Sequence, residues 1–337
     1  MDLISVIIPM YNAEKFIGKL LNCIKLQTYP NLEVIIVDDG STDKSLEIVN
    51  AYALGDNRIN VISSTHVGVG NIRNIGIERA KGQYITFLDA DDYIENDMYE
   101  KIMNKINELN LSVLRCNYIK EDINGKELIS ANNLLDLANK ELKDNEIQTK
   151  LLPYIFEDKL PTYMPIVIAK AELIKNKIKF RSDINFMEDL IFFIELVLSA
   201  KRIYFYDYKC YHYVNNVCSS TKSRNKFISN CYDSIKIIRL LEKILDENNI
   251  DDKIYQKVYY VYSSIFIKYM VRIFDKNDKY TISYDKMVEI IRETQIKDII
   301  KNVDYSKCPN KSIRLIANYI ENEQYEEIYS YVHSISI

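Results

Sequence analysis

The chain has 337 residues, 47% of them apolar, and a formal net charge of −4. That length holds one large domain plus a smaller one, and the charge gives no basic footprint for nucleic acid. No apolar run reaches the ~18–20 residues that span a bilayer. Six cysteines (Cys23, Cys116, Cys210, Cys218, Cys231, Cys308) form no C-x-x-C pair, and the histidines are only His66, His212 and His333. A zinc site of Cys and His is therefore not supported. The thiols read as free in a reducing cytoplasm, and no secretory leader is expected before the first strand.

In chain order, Leu3–Pro9 is an apolar β-branched run closed by proline, a buried strand. Helical spacing follows over 13–27, then strand 32–37, helix 42–52, strand 58–63, helix 69–80 and strand 84–88. A helix near 95–109 and a strand at 112–118 complete this part. Such alternation implies an α/β fold, a mostly parallel sheet with helices on both faces, and ligands bind beyond the carboxyl ends of its strands. Asn124-Gly125 reads as a hairpin turn, 163–169 as a strand and 187–200 as a helix. Segments 203–206 and 210–214 read as extended. All eight glycines lie at or before Gly125, so the loop-bearing ligand part is N-terminal. From Lys226 onward the pattern is helical, over 227–247, 253–274, 284–294 and 312–330.

Four polar clusters interrupt the apolar pattern. Asp89-Ala90-Asp91-Asp92 sets three carboxylates at a strand end, where mutual repulsion favours a cation between them. Oxygen ligands suit Mg²⁺ or Mn²⁺, although an isolated motif of this kind is more often a solvated turn. Asp38-Asp39-Gly40-Ser41-Thr42-Asp43 follows a strand; Ser41 or Thr42 reads as N-cap and Asp43 as a first-turn acid, leaving Asp39 for a ligand. Gly68 and Gly70 open a helix that presents Arg73, suited to a diphosphate or to the acidic cluster. Glu188-Asp189 opens another helix; capping is the commoner role there, a rigidly held general base the sharper one.

Together and in order, these segments resemble glycosyltransferase family 2. The matching residues are Ser5-Val6-Ile7-Ile8-Pro9-Met10-Tyr11-Asn12, Val37 to Asp43, Gly68 to Gly76, Phe87 to Asp92 and Glu188-Asp189. The resemblance covers residues 3–118 strongly and about 160–224 more loosely. It implies a GT-A fold over 1–224, with a nucleotide- and metal-binding half (1–118) and an acceptor-side half (119–224), followed by a helical region at 225–337. It further implies an inverting transfer of a hexose or N-acetylhexosamine from a UDP-sugar to a glycan hydroxyl, with Mn²⁺ or Mg²⁺ as cofactor.

By position, the resemblance gives Pro9, Tyr11 and Asp39 to the uracil and ribose pocket and Arg73 to the nucleotide side of the cleft. It gives Asp89 to the ribose or a metal-bound water and Asp91 to the metal. Asp189 becomes the general base, with Glu188 assisting. The stretch 218–224 resembles a loop that closes on the diphosphate, which implies Lys222 first and Arg224 second as its cations. The chain departs from the family pattern at Asn71-Ile72, where two small residues are usual. It also lacks tryptophan, reading Met164-Pro165-Ile166-Val167 on the acceptor side. The acceptor implied is a bacterial surface glycan, a lipid-linked glycan or a glycoprotein glycan, at a cytoplasmic site or the inner membrane face. Rival readings are a sugar-nucleotide-binding module without catalysis, and a nucleotidyltransferase, which would need an N-terminal glycine-rich loop absent from 9–15.

In the C-terminal part, Tyr255, Val258, Tyr262, Ile265 and Tyr269 can share one helical face. The first expectation is packing on the catalytic domain or on a second subunit. The second is a face that docks on a membrane, since tyrosine and basic residues suit an interface.

Overall fold

The computed structural model describes residues 1–129, 134–157, 159–215, 224–273 and 282–334. It divides into two units, Met1–Ile155 with Lys159–Val217, and Phe156–Asp158 with Cys218–Ile337.

In the first unit the strands are β1 (Ile4–Met10), β2 (Leu32–Asp38), β3 (Ile59–Ser63), β4 (Tyr84–Phe87), β5 (Tyr93–Ile94), β6 (Val113–Asp122), β7 (Glu127–Ile129), β8 (Lys140–Lys143), β9 (Val167–Lys170) and β10 (Arg202–Asn215). The principal helices are α1 (Ile17–Lys25), α2 (Ser45–Gly55), α3 (Val69–Arg79), α4 (Met98–Leu109) and α5 (Glu188–Ala200). The sheet runs β3-β2-β1-β4-β9-β6-β10-β5, with β7 beside β6 and β8 beside β10. β3, β2, β1 and β4 are parallel; β9 then enters antiparallel to both β4 and β6. β2 is buried along its whole length and β1 at all but one residue, because helices cover both faces of a parallel sheet.

β1 lies between β2 and β4, the point where the chain changes its direction of travel across the sheet. Ligand crevices form at such switch points, beyond the carboxyl ends. α1 buries Ile17, Leu20, Leu21 and Ile24, each contributing about 1.5–3 kcal/mol. α3 packs so closely on β1 that a Cβ on Gly76 would stand 2.3 Å from Ile7 Cγ2.

Several elements differ from the periodicity. α2 starts at Ser45, and neither Ser41 nor Thr42 caps it; the Asp43 carboxylate takes the Ser45 N–H at 3.0 Å instead. The Ser41 hydroxyl is already committed, accepting the Asn12 N–H at 2.9 Å. The segment expected as one strand from Tyr163 begins as a 3-10 turn over Met164–Ile166, and only then becomes β9. β10 is one strand rather than two, with register shifts against β6 between Phe205 and Tyr211 that hide its alternation. Asn124-Gly125 forms the expected turn between β6 and β7, with Gly125 at φ +79°.

The second unit is helical: α6 (Arg224–Glu247), α7 (Asp252–Ile273), α8 (Tyr284–Glu293), α9 (Ile296–Ile300), α10 (Lys311–Glu321) and α11 (Tyr325–Ser334). The predicted final helix is two, broken where Glu323 takes φ +56°. On α7 the buried stripe is Ile254, Val258, Tyr262, Phe266 and Met270, packed on α6, α9 and α10. Tyr255, Ile265 and Tyr269 lie at its half-buried margin. Among the described residues no helix is long and apolar enough to cross a membrane.

Candidate functional site

The carboxyl ends of β1 and β2 are stitched together by side chains. The Asn12 amide oxygen accepts the Thr42 N–H at 2.8 Å, Asn12 itself taking φ +48°. Pro9 pairs with Val37 one step back, and Tyr11, 48% exposed, projects from the turn. Asp39 is buried, and its carboxylate accepts the N–H groups of Val67 at 2.7 Å and Gly68 at 3.1 Å. Gly68, at φ +91°, is the N-cap of α3, so Asp39 fixes the entry to that helix. His66 Nδ1 lies 3.0 Å from Asp39 Oδ2, and its ring tilts onto Tyr11 with centroids 4.5 Å apart. Tyr11, Asp39 and His66 thus make one exposed aromatic pair over a buried carboxylate. His66 was not singled out from sequence; only its contact with the two expected residues reveals it.

Arg73 lies five residues along α3, about 7.5 Å further on the helix axis. Its side chain is 4% exposed. Nη1 donates to Asp189 Oδ1 at 2.7 Å and Glu188 Oε1 at 3.0 Å, and Nη2 donates to Asp89 Oδ1 at 3.1 Å. Of the two partners the sequence allowed it, Arg73 takes the acids. Asp89 follows the end of β4; Glu188 and Asp189 form the first turn of α5, entered through Met187 at φ +58°. Asn74, one residue on, exchanges two hydrogen bonds with the Phe180 backbone, each 2.9 Å. That clamp holds the chain leading to α5 against α3.

The Asp189 carboxylate also accepts the Met164 N–H at 3.2 Å, so both of its oxygens are oriented. Burial pushes its pKa up to about 7, reinforced by Glu188 and Asp89 and opposed by Arg73 and the Met164 N–H. Burial opposes the Arg73 charge as well, but the three acids more than compensate and hold its pKa above the ordinary arginine value. The arginine stays charged because three carboxylates face it, while Asp189 titrates late because its burial outweighs the pairing with Arg73.

Asp91 and Asp92 have different surroundings. Asp92 is buried, accepts the Tyr211 hydroxyl, and accepts the Val214 N–H at 2.7 Å. It ties the acidic segment to β10. Asp91 and Asp92 both line a cavity of about 280 Å³, together with Lys15, Lys19, Tyr93 and Glu121. Burial, then Asp89, raise the Asp91 pKa to about 6. Among the described residues no three His, Cys, Asp or Glu side chains are grouped to hold a metal ion. Lys222 lies outside the described residues, and Arg224 opens α6 of the second unit.

The sequence model of Glycosyl transferase family 2 matches residues 5–165, a stretch that includes Asp39, Arg73 and Asp89. An uncharacterized glycosyltransferase of Haemophilus influenzae is 33% identical over 273 residues, 80% of this chain and 98% of that one. The poly(ribitol-phosphate) beta-N-acetylglucosaminyltransferase TarS of Staphylococcus aureus is 30% identical over 245 residues, 70% of this chain but 39% of that longer protein. The crystal structure of S. aureus TarS 1-349 in complex with UDP superposes with a TM-score of 0.63 at 23% identity, covering 98% of this chain and 90% of that one. This last likeness is one of fold: the mixed sheet with flanking helices is a GT-A-like fold followed by helices. Since nearly the whole Haemophilus relative is matched at this identity, the chain belongs to glycosyltransferase family 2.

Proposed function

We propose that the chain is a metal-dependent inverting glycosyltransferase that moves a hexose or N-acetylhexosamine from a UDP-sugar to a glycan hydroxyl, forming a β-glycosidic bond. The observation that carries this reading is the convergence of Asp89, Glu188 and Asp189 on the buried Arg73 guanidinium. It couples a carboxylate at the end of β4 to a carboxylate poised to titrate near neutrality. The UDP complex of TarS supports the nucleotide.

Tyr11, His66 and Asp39 are the residues suited to the base and ribose, an aromatic face for stacking and a carboxylate edge beside it, and Pro9 near the end of β1 is proposed for the same pocket. Asp189 accepts the proton of the acceptor hydroxyl as that oxygen attacks the anomeric carbon. Its pKa near 7 leaves the carboxylate available and still basic enough to take the proton. Arg73 keeps Asp189 in one rotamer and disperses its charge without reaching solvent. Glu188 shares the same guanidinium nitrogen and orders the acceptor side.

The residues present suit a hard divalent cation held chiefly by substrate. Of the carboxylates that line the cavity, Asp92 is committed to Tyr211 and Val214 and Glu121 to Tyr93 and His212, and Asp89 is held by Arg73, which favours Asp91 as the ligand. One carboxylate with the phosphates of a nucleotide is a common Mg²⁺ or Mn²⁺ arrangement. Asp91 would hold such a cation, which would supply positive charge against the departing diphosphate. Lys222 and Arg224 are proposed as further cations for that charge, and the acceptor as a bacterial surface glycan, lipid-linked glycan or glycoprotein glycan. Contact with the inner membrane face, or with a second copy through the C-terminal helices, belongs to the same proposal.

Thermal melting against a panel of nucleotides and UDP-sugars, with and without Mn²⁺, tests the donor. Ligand at a hundredfold its Kd stabilises by ~2.7 kcal/mol. A shift by UDP and one UDP-sugar that needs Mn²⁺ supports the reading. No shift with any nucleotide contradicts it and favours a scaffold role in a glycan-synthesis complex.

A further inference from the structure

We propose that Tyr163 and Tyr213 form an aromatic platform on which a pyranose ring of the acceptor stacks; the proposal rests on Asp189 being the base. Three tyrosines from separate segments meet, and one of them adjoins the backbone N–H that binds that carboxylate. Tyr163 immediately precedes Met164, whose N–H donates to Asp189 Oδ2 at 3.2 Å. The Tyr163 ring lies parallel to Tyr213, tilted by only 8°, with centroids 5.5 Å apart, and edge-on to Tyr118 at 5.5 Å. Tyr118 is buried, whereas Tyr163 remains 37% exposed.

The position of the stack relates it to both carboxylate groups. At one end Tyr163 is tied through the backbone of its neighbour to the base. At the other, Tyr213 stands on β10 between Tyr211 and Val214, the two residues that hold Asp92. Burial raises the Tyr213 pKa, and Tyr163, Asp92, Asp91 and Asp89 add to the rise, so its hydroxyl is within the field of the acidic segment. The platform therefore runs from the proton acceptor toward the residues assigned to the diphosphate.

A tyrosine that served only to pack β9 against β6 would be covered, as Tyr118 is. Tyr163 instead sits on the 3-10 turn ahead of β9, at the sheet end that carries the site. Large aromatic surfaces left open beside a few oriented polar groups are what ligand sites are made of. The ligand class follows from the shape. A flat ring face one residue from the N–H that binds Asp189 fits the C–H face of a pyranose and would hold an equatorial hydroxyl on the side of that carboxylate. An acyclic polyol presents no such face.

The test uses the full chain, a UDP-sugar donor, and as acceptors the methyl glycosides of glucose, galactose, N-acetylglucosamine and N-acetylgalactosamine, with ribitol as the acyclic probe. Tyr163→Ala is expected to raise the acceptor KM roughly tenfold, which corresponds to ~1.4 kcal/mol, while the donor KM and UDP binding stay unchanged. Tyr163→Trp is expected to restore most of that affinity. The chain has no tryptophan, so this residue is then the sole indole, and its emission should change saturably with the glycoside that is glycosylated. Tyr213→Leu, which removes the supporting ring, should act in the same direction as Tyr163→Ala. An unchanged acceptor KM in Tyr163→Ala, an unmoved indole emission with a glycosylated acceptor, or transfer to ribitol alone overturns the platform. If Tyr163→Ala behaves as expected while Asp189→Asn transfers normally, the platform stands and the base is elsewhere.

Discussion

Arg73 and Asp189, 116 positions apart in the chain, meet at 2.7 Å across a site that neither α3 nor α5 forms alone. Because the guanidinium also binds Glu188 and Asp89, removing it strands three carboxylates together. Arg73→Ala is expected to destabilise by about 3–5 kcal/mol, as for a broken buried ion pair. Arg73→Lys should retain the charge but lose the fork that spans three partners. Urea unfolding at pH 5 and pH 8 checks this: the Arg73→Ala loss should be smaller at pH 5, where carboxyl protonation relieves the repulsion.

The raised pKa of Asp189 has a consequence for stability with a definite sign. Its folded value of about 7 lies above the unfolded value, which is about 4. Between those limits the folded state binds more protons than the unfolded, so stability falls as pH rises through the window. Asp189→Asn lacks that titration. It should melt above the wild type at pH 8, with the gain vanishing toward pH 4. A variant that melts below the wild type at pH 8 contradicts the assignment.

Tyr211→Phe takes one donor from the buried Asp92 and leaves, among the described residues, the Val214 N–H. The expected cost is roughly 1–3 kcal/mol, read by denaturant unfolding. Because Asp91 adjoins Asp92, the apparent Mn²⁺ affinity in the presence of UDP should weaken in the same variant.

Gly76→Ala tests the packing that positions Arg73. The added Cβ would meet Ile7 Cγ2 at 2.3 Å, so α3 must shift from β1. A loss of about 1–3 kcal/mol is expected, and Ile7→Ala, which removes Cγ2, should cost less in the Gly76→Ala chain than in the wild type. Neutral melting of Gly76→Ala would show that α3 has room to move.

The parallel half of the sheet was legible because β1, β2 and β4 each carry an apolar run closed by a polar strand end. The acids of the site were legible for the same reason: Asp39 and Asp89 follow strands directly. Helix α5 showed its two acids at the start of an apolar stretch. The partners were not legible. His66 reaches Asp39 through a turn between β3 and α3, and Tyr163 reaches Tyr213 only because β9 and β10 both flank β6. Sheet order decides these meetings, and local periodicity does not encode it. The register shifts of β10 likewise conceal a single long strand. Ser41 and Thr42 have cap chemistry, but Asn12 engages both before α2 begins.

Sugar transfer by Asp189→Asn, measured beside its UDP-dependent melting shift, tests the central claim most directly. A positioned general base contributes ~10²–10⁴-fold in rate. Transfer should fall by that order, with the UDP shift retained because Tyr11, Asp39 and Asp91 are untouched. Transfer at the wild-type rate by a variant that still binds UDP would contradict it.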